Sequence, residues 1–94
     1  MSAYLIFNVE VTDPDQYRKY QQFSSEAIQK YGPQVRVRGG EVTSLEGAEP
    51  GRTVVLEFDT VEAAQAFYDS PEYRQGRALR ANAARVTAYI VQGA

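Results

Sequence analysis

The sequence predicts an α+β protein, a ferredoxin-like βαββαβ sandwich whose four-stranded antiparallel sheet carries its helices on one face. Three features predict it. Four segments alternate with the two-residue period of a strand, and the stretches between them carry helix starts and helical spacing. Their order along the chain is strand, helix, strand, strand, helix, strand. Right-handed crossovers then place both helices on the same side of the sheet and leave its other face without a covering layer.

The first strand is expected over residues 3–11, with Leu5, Phe7, Val9 and Val11 on one face and Tyr4, Ile6, Asn8 and Glu10 on the other. Asp13 followed by Pro14 starts a helix: a carboxylate caps it, and the proline lacks an N–H that the first turn does not need. This helix runs to about Tyr31. Tyr17, Tyr20, Ala27, Ile28 and Tyr31 form one stripe with Phe23 at its edge, and aromatic area of that kind reads as core. Gly32 and Pro33 stop it. The second strand is expected over 35–45, interrupted by Gly39 and Gly40, which mark a bulge, a bend or a close approach of ligand or backbone. After a turn at 46–51, residues 53–59 pair back, with Val54, Leu56 and Phe58 on one face and Thr53, Val55 and Glu57 on the other. Thr60 caps a short helix bearing Ala63, Ala64 and Phe67. Ser70 and Pro71 restart a helix over 72–84. The fourth strand, 86–91, alternates Val86, Ala88 and Ile90 against Thr87, Tyr89 and Val91.

Ninety-four residues are expected to form one domain over 1–94, with a modest core. The composition, 44% hydrophobic and 23% charged, is that of a folded chain. A net charge of −2 offers no global field for nucleic acid or anionic lipid. No segment suits a membrane span, so a cytoplasmic location is expected. Eight of the ten basic residues are arginine, whose planar donors suit carboxylate or phosphate. Cysteine and histidine are absent, which removes the thiolate nucleophile, the commonest general base and the usual zinc and haem ligands. No cofactor and no metal are expected. The uncovered sheet face, mixing Tyr4, Ile6, Val55, Tyr89 and Val91 with Asn8 and Glu57, is neither a solvated surface nor a dry core. A second copy of the chain is expected to cover it, enclosing a partly polar cavity with Asn8, Glu57 and an arginine of the second strand in or near it.

The Arg38-Gly39-Gly40 triplet, the segment from Tyr68 through Ser70 and Pro71 to Tyr73, and the Glu57-Phe58 strand end resemble the domain of unknown function 1330 family. So do the Tyr31-Gly32 helix stop, Leu45-Glu46-Gly47 and the alanine-rich helix after Thr60. The resemblance runs from Tyr4 through Val91. It implies the dimeric α/β barrel superfamily, a ferredoxin-like protomer and a face-to-face homodimer, and no agreed reaction. Other branches of that superfamily include cofactor-free oxygenases, lactone isomerases and haem enzymes. Pro33 departs from the family's second glycine, and the histidine of the haem-binding branch has no counterpart here.

Two clusters carry the chemistry that the sequence offers. In the first, Arg38 beside Gly39 and Gly40 presents planar donors to a carboxylate or enolate oxygen, or else pairs with Glu57 across neighbouring strands. Glu57 satisfies Arg38, or serves as a general base if burial raises its pKa, while Asn8 orients a bound oxygen. In the second, Tyr68, Ser70 and Tyr73 meet at the helix break. Ser70 reads first as a cap; Tyr73, with Arg77 four residues on and Arg80 three further, is an activated phenol or an aromatic contact for a cation. The catalytic candidates are therefore Arg38, Glu57 and Tyr73. The expected function is a small dimer that binds an organic acid or aromatic metabolite beside the sheet, with or without cofactor-free proton-transfer or oxygen chemistry. The alternatives are a ligand-binding regulatory module without catalysis and a purely structural dimer.

Overall fold

The computed structural model describes residues 2–94. Its elements are β1 (Ala3–Val11), α1 (Pro14–Tyr31), β2 (Gln34–Arg38), β3 (Arg52–Phe58), α2 (Val61–Tyr68), α3 (Pro71–Arg80) and β4 (Ala84–Gln92). The strands pair antiparallel in the order β2-β3-β1-β4, which is the ferredoxin-like arrangement.

The helix starts are those the sequence encodes. Asp13 accepts a hydrogen bond from the Gln16 N–H (3.2 Å), Thr60 from Ala63 (3.0 Å) and Ser70 from Tyr73 (3.1 Å), each satisfying a donor the first turn leaves free. Gly32 ends α1 in the left-handed conformation (φ 69°), its N–H bonded to the Ile28 carbonyl.

The core lies between the helices and the face of the sheet that carries Leu5, Phe7, Val9, Leu56 and Phe58. From the helices it receives Tyr17, Tyr20, Ala27, Ala64, Phe67 and Tyr73. Gly76 lets α3 approach α1: a Cβ there would stand 2.9 Å from the Phe23 Cβ and 3.4 Å from the Tyr20 carbonyl oxygen. Gly76→Ala is therefore expected to destabilise by about 1 kcal/mol, because overpacking of roughly 1–3 kcal/mol outweighs the helix-propensity gain of about 1 kcal/mol. A denaturant midpoint unchanged or raised by the substitution contradicts this packing.

Two expected boundaries move by more than two residues. The second strand ends at Arg38 instead of 45, because Gly39 turns left-handed (φ 66°) and its N–H bonds the Thr53 carbonyl (2.8 Å). The exposed stretch that follows carries Leu45, 89% exposed. The last helix ends at Arg80 instead of 84, since the Ala83 N–H bonds the Arg80 carbonyl (2.9 Å) in a tighter turn and Ala84 already pairs with Val11 as part of β4.

On the opposite face, register aligns Val37, Val55, Ile6 and Tyr89 into one apolar row across all four strands. A neighbouring row runs Gln34, Glu57, Tyr4 and Val91; another joins Thr53, Asn8 and Thr87. Tyr89 and Val91 are 48% and 44% exposed, so this face stands open in the protomer.

Candidate functional site

A cavity of about 90 Å³ lies between α1 and the helix-facing side of β1, β2 and β3. Its inner wall includes Phe7, Val54, Leu56 and Phe67 and the rings of Tyr17, Tyr20 and Tyr73. Gln21, Ser24, Ser25, Arg38 and Arg52 supply polar groups, with Ser25 and Arg38 exposed at the mouth. The lining contains two arginines and no carboxylate.

Strand register explains both arginines. Arg52 stands opposite Val9, in phase with Val54 and Leu56, so it occupies a core-facing position at the start of β3. Arg38 stands opposite Val54 because β2 carries a bulge between Val35 and Val37. One extra residue reverses which face each later side chain meets, and that reversal turns Arg38 toward the helices. Gly39 gives Arg52 its space: a Cβ on Gly39 would collide with the guanidinium. The Arg52 Nε is buried and has no hydrogen-bond partner among the described residues. An unsatisfied buried donor of that kind costs about 1–3 kcal/mol, which a ligand oxygen would recover.

Deeper in, Tyr20 and Tyr73 share a hydrogen bond between their hydroxyls (2.7 Å), and Arg80 donates to both oxygens, 3.1 Å to Tyr20. Arg80 is 7% exposed, and its guanidinium carbon lies 5.0 Å from the Tyr20 ring centre, 5.5 Å from Tyr73 and 5.9 Å from Phe7. Burial disfavours its charge, but the oxygens of Tyr73 and Tyr20 more than offset this and raise its pKa. Burial, reinforced by Tyr20, pushes the Tyr73 phenol far above the ordinary tyrosine value, so Tyr73 holds its proton. Tyr17 is also raised, chiefly by burial and then by Tyr20, with Arg52 pulling the other way.

The structure divides the residues singled out from the sequence. Arg38 and Gly39 belong to the cavity as lining and as the space-giver for Arg52. Gly40 has open space where a Cβ would stand and makes no close approach. Glu57 lies on the opposite face of the sheet, so the Arg38–Glu57 pair, one of the two readings of Arg38, does not form. Arg36, the extra residue of the bulge, takes that place, its Nε 2.6 Å from Glu57, and Ser2 donates a second bond at 2.5 Å. These hydrogen bonds, that from Ser2 foremost, hold Glu57 below the ordinary carboxylate value, the reverse of what a general base requires. Asn8 also lies on the open face, accepting from the Thr53 hydroxyl (3.2 Å). At the helix break, Ser70 is a buried cap, and Arg77 covers the Tyr68 ring at 4.3 Å. Tyr73 turns inward to Arg80 instead of meeting Arg77, and its raised pKa speaks against an activated phenolate.

Arg52 is not among the residues singled out from the sequence, although an arginine continuing the apolar phase of Val54, Leu56 and Phe58 is a visible signal. Tyr20 reads as core by spacing alone, and only its partner at position 73 reveals a polar role. Among the described residues no group of three or more histidine, cysteine, aspartate or glutamate side chains is placed to hold a metal, and no helix is long and apolar enough to cross a membrane.

The profile of the family described as domain of unknown function (DUF1330) matches residues 2–94. No curated protein matches the sequence. Among solved structures, a protein of unknown function from Rhodopseudomonas palustris is similar with a TM-score of 0.72 and 18% identity, over 99% of this chain and 82% of that one. A dimeric ferredoxin-like protein of unknown function from Thermobifida fusca gives 0.64 and 19%, over 97% and 90%. A candidate antibiotic biosynthesis monooxygenase from Nitrosomonas europaea gives 0.60 and 16%, over 98% and 89%. At these identities the likeness shows the fold.

Proposed function

The chain belongs to the DUF1330 family, and we propose that it binds a small organic anion, a carboxylate or an enolate or phenolate on an unsaturated carbon frame, in the cavity under α1. One observation carries this reading: the buried Arg52 Nε has no partner among the described residues, in a cavity that pairs two arginines with aromatic walls and contains no acid. A cavity of about 90 Å³ takes the anionic head and the adjoining edge of a flat ligand, and the remainder leaves through the mouth between Ser25 and Arg38. Binding is favoured over general-base catalysis, because no carboxylate or imidazole lines the cavity.

The protein works as a homodimer in this reading, joined through the open sheet face. The row of Val37, Val55, Ile6 and Tyr89 supplies a self-complementary apolar stripe. Flanking it, the Arg36–Glu57–Ser2 group is already satisfied within the protomer and can be covered without an orphaned charge. The dimeric relative from Thermobifida fusca supports this assembly.

Benzoate and phenylacetate titrated against the thermal midpoint test the binding reading. Both are expected to raise the midpoint of the wild-type protein, by about 2.7 kcal/mol of stabilisation at a hundredfold excess over Kd. Arg52→Met, which fills similar volume without the unsatisfied donor, is expected to keep or raise the unliganded midpoint and lose the ligand response. An Arg52→Met protein that responds to benzoate as the wild type does contradicts the proposal.

A further inference from the structure

Hydrogen-bond accounting in the Tyr20–Tyr73–Arg80 cluster leaves one donor over. Two phenols bring two protons. Arg80 donates to both oxygens, and one phenol donates to the other, so the remaining O–H has no acceptor among the described residues. Both rings line the cavity, and Arg80 stands behind them, 7% exposed and, among the described residues, without a carboxylate partner. A buried donor without an acceptor, backed by a buried cation, is the arrangement that stabilises an oxygen anion in a low-dielectric site.

We propose that the Tyr20–Tyr73–Arg80 cluster is an oxyanion-binding point at the inner end of the cavity, which captures a phenol or enol as its conjugate base. This rests on the binding reading above and narrows the ligand to one whose anionic oxygen enters first. The bound oxygen accepts the spare phenol proton as a hydrogen bond and stays anionic, and the ligand's own proton leaves to solvent, since no lining group is a base. The charged and titratable groups facing the site are Tyr17 and Tyr20 from α1, Tyr68 from α2 against the Tyr73 ring, Tyr73 and Arg80 from α3, Arg38 from β2 and Arg52 from β3. None of them is a carboxylate, so no acidic side chain opposes the anion there. Tyr20 and Tyr73 are positioned as interchangeable donors: removing either hydroxyl leaves the other bonded to Arg80 with its proton uncommitted.

4-Nitrophenol, whose phenolate absorbs visibly, tests this in the full chain. Bound to the wild type, it is expected to ionise at a pH lower by about one unit or more than free in solution, a tenfold shift in its acid dissociation constant. Tyr20→Phe and Tyr73→Phe singly are expected to retain most of that shift, and the double variant to lose most of it while still binding. Arg80→Met, which keeps both phenols and the core volume, is expected to lose much of it too and serves if the double variant fails to fold. A probe that binds the wild type without any shift, or a shift undiminished in a folded double variant or in Arg80→Met, overturns the oxyanion point and leaves the cavity reading standing. A probe that does not bind while benzoate does overturns the point as well. Failure of both probes to bind overturns the cavity reading itself.

Discussion

Replacing Phe67 by alanine is expected to cost about 3–5 kcal/mol, much of the 5–15 kcal/mol that holds a domain of this size together. Phe67 is fully buried, and its ring centre lies 5.2 Å from that of Tyr73, 5.4 Å from Phe58 and 6.1 Å from Tyr31. It therefore ties α2 to α3, to β3 and to the end of α1 at once. Because the ring also walls the cavity, truncation removes packing that neighbouring side chains cannot recover by small shifts. Chemical denaturation of both proteins at equal protomer concentration measures the cost. A loss below about 1 kcal/mol would mean that the aromatic cluster is not the core's centre.

Val55→Asp is expected to convert the proposed homodimer into single copies without unfolding the chain. Val55 stands inside the apolar row between Val37 and Ile6, near the middle of the open face. In a two-fold interface each substitution acts twice, and a carboxylate buried there without a partner costs several kcal/mol per copy. In the separated protomer the same side chain is partly solvated on a half-buried strand position, so the helix-side core keeps its packing. Sedimentation at micromolar concentration is expected to give a two-copy mass for the wild type and a one-copy mass for the variant, with far-UV circular dichroism retained. A wild type that sediments as a single folded copy removes the homodimer from the account.

The fold was legible because local signals agreed with one another. The two-residue alternation in β1 and β3 names the core face that Leu5, Phe7, Leu56 and Phe58 occupy, and the capping residues Asp13, Thr60 and Ser70 fix three helix starts. The side on which Arg38 falls was not legible. Strict alternation along β2 puts Arg36 and Arg38 on the same face, and a single bulge separates them, sending Arg36 to Glu57 and Arg38 to the cavity. Bulges are set by pairing with the neighbouring strand, which composition does not record. Nor was the inner cluster legible as a unit. Tyr73 and Arg80 lie two helical turns apart on α3, while Tyr20 comes from another helix, so their meeting depends on the close α1–α3 approach that Gly76 permits.

Amide chemical shifts recorded while benzoate is added locate the ligand most directly. The largest changes are expected around the helix-side cavity, at Ser24, Ser25, Ile28, Arg52 and Val54, with Ile6, Val55 and Thr87 on the opposite face nearly still. Changes concentrated on Ile6, Val55 and Thr87, with the α1 residues unmoved, would contradict the cavity reading.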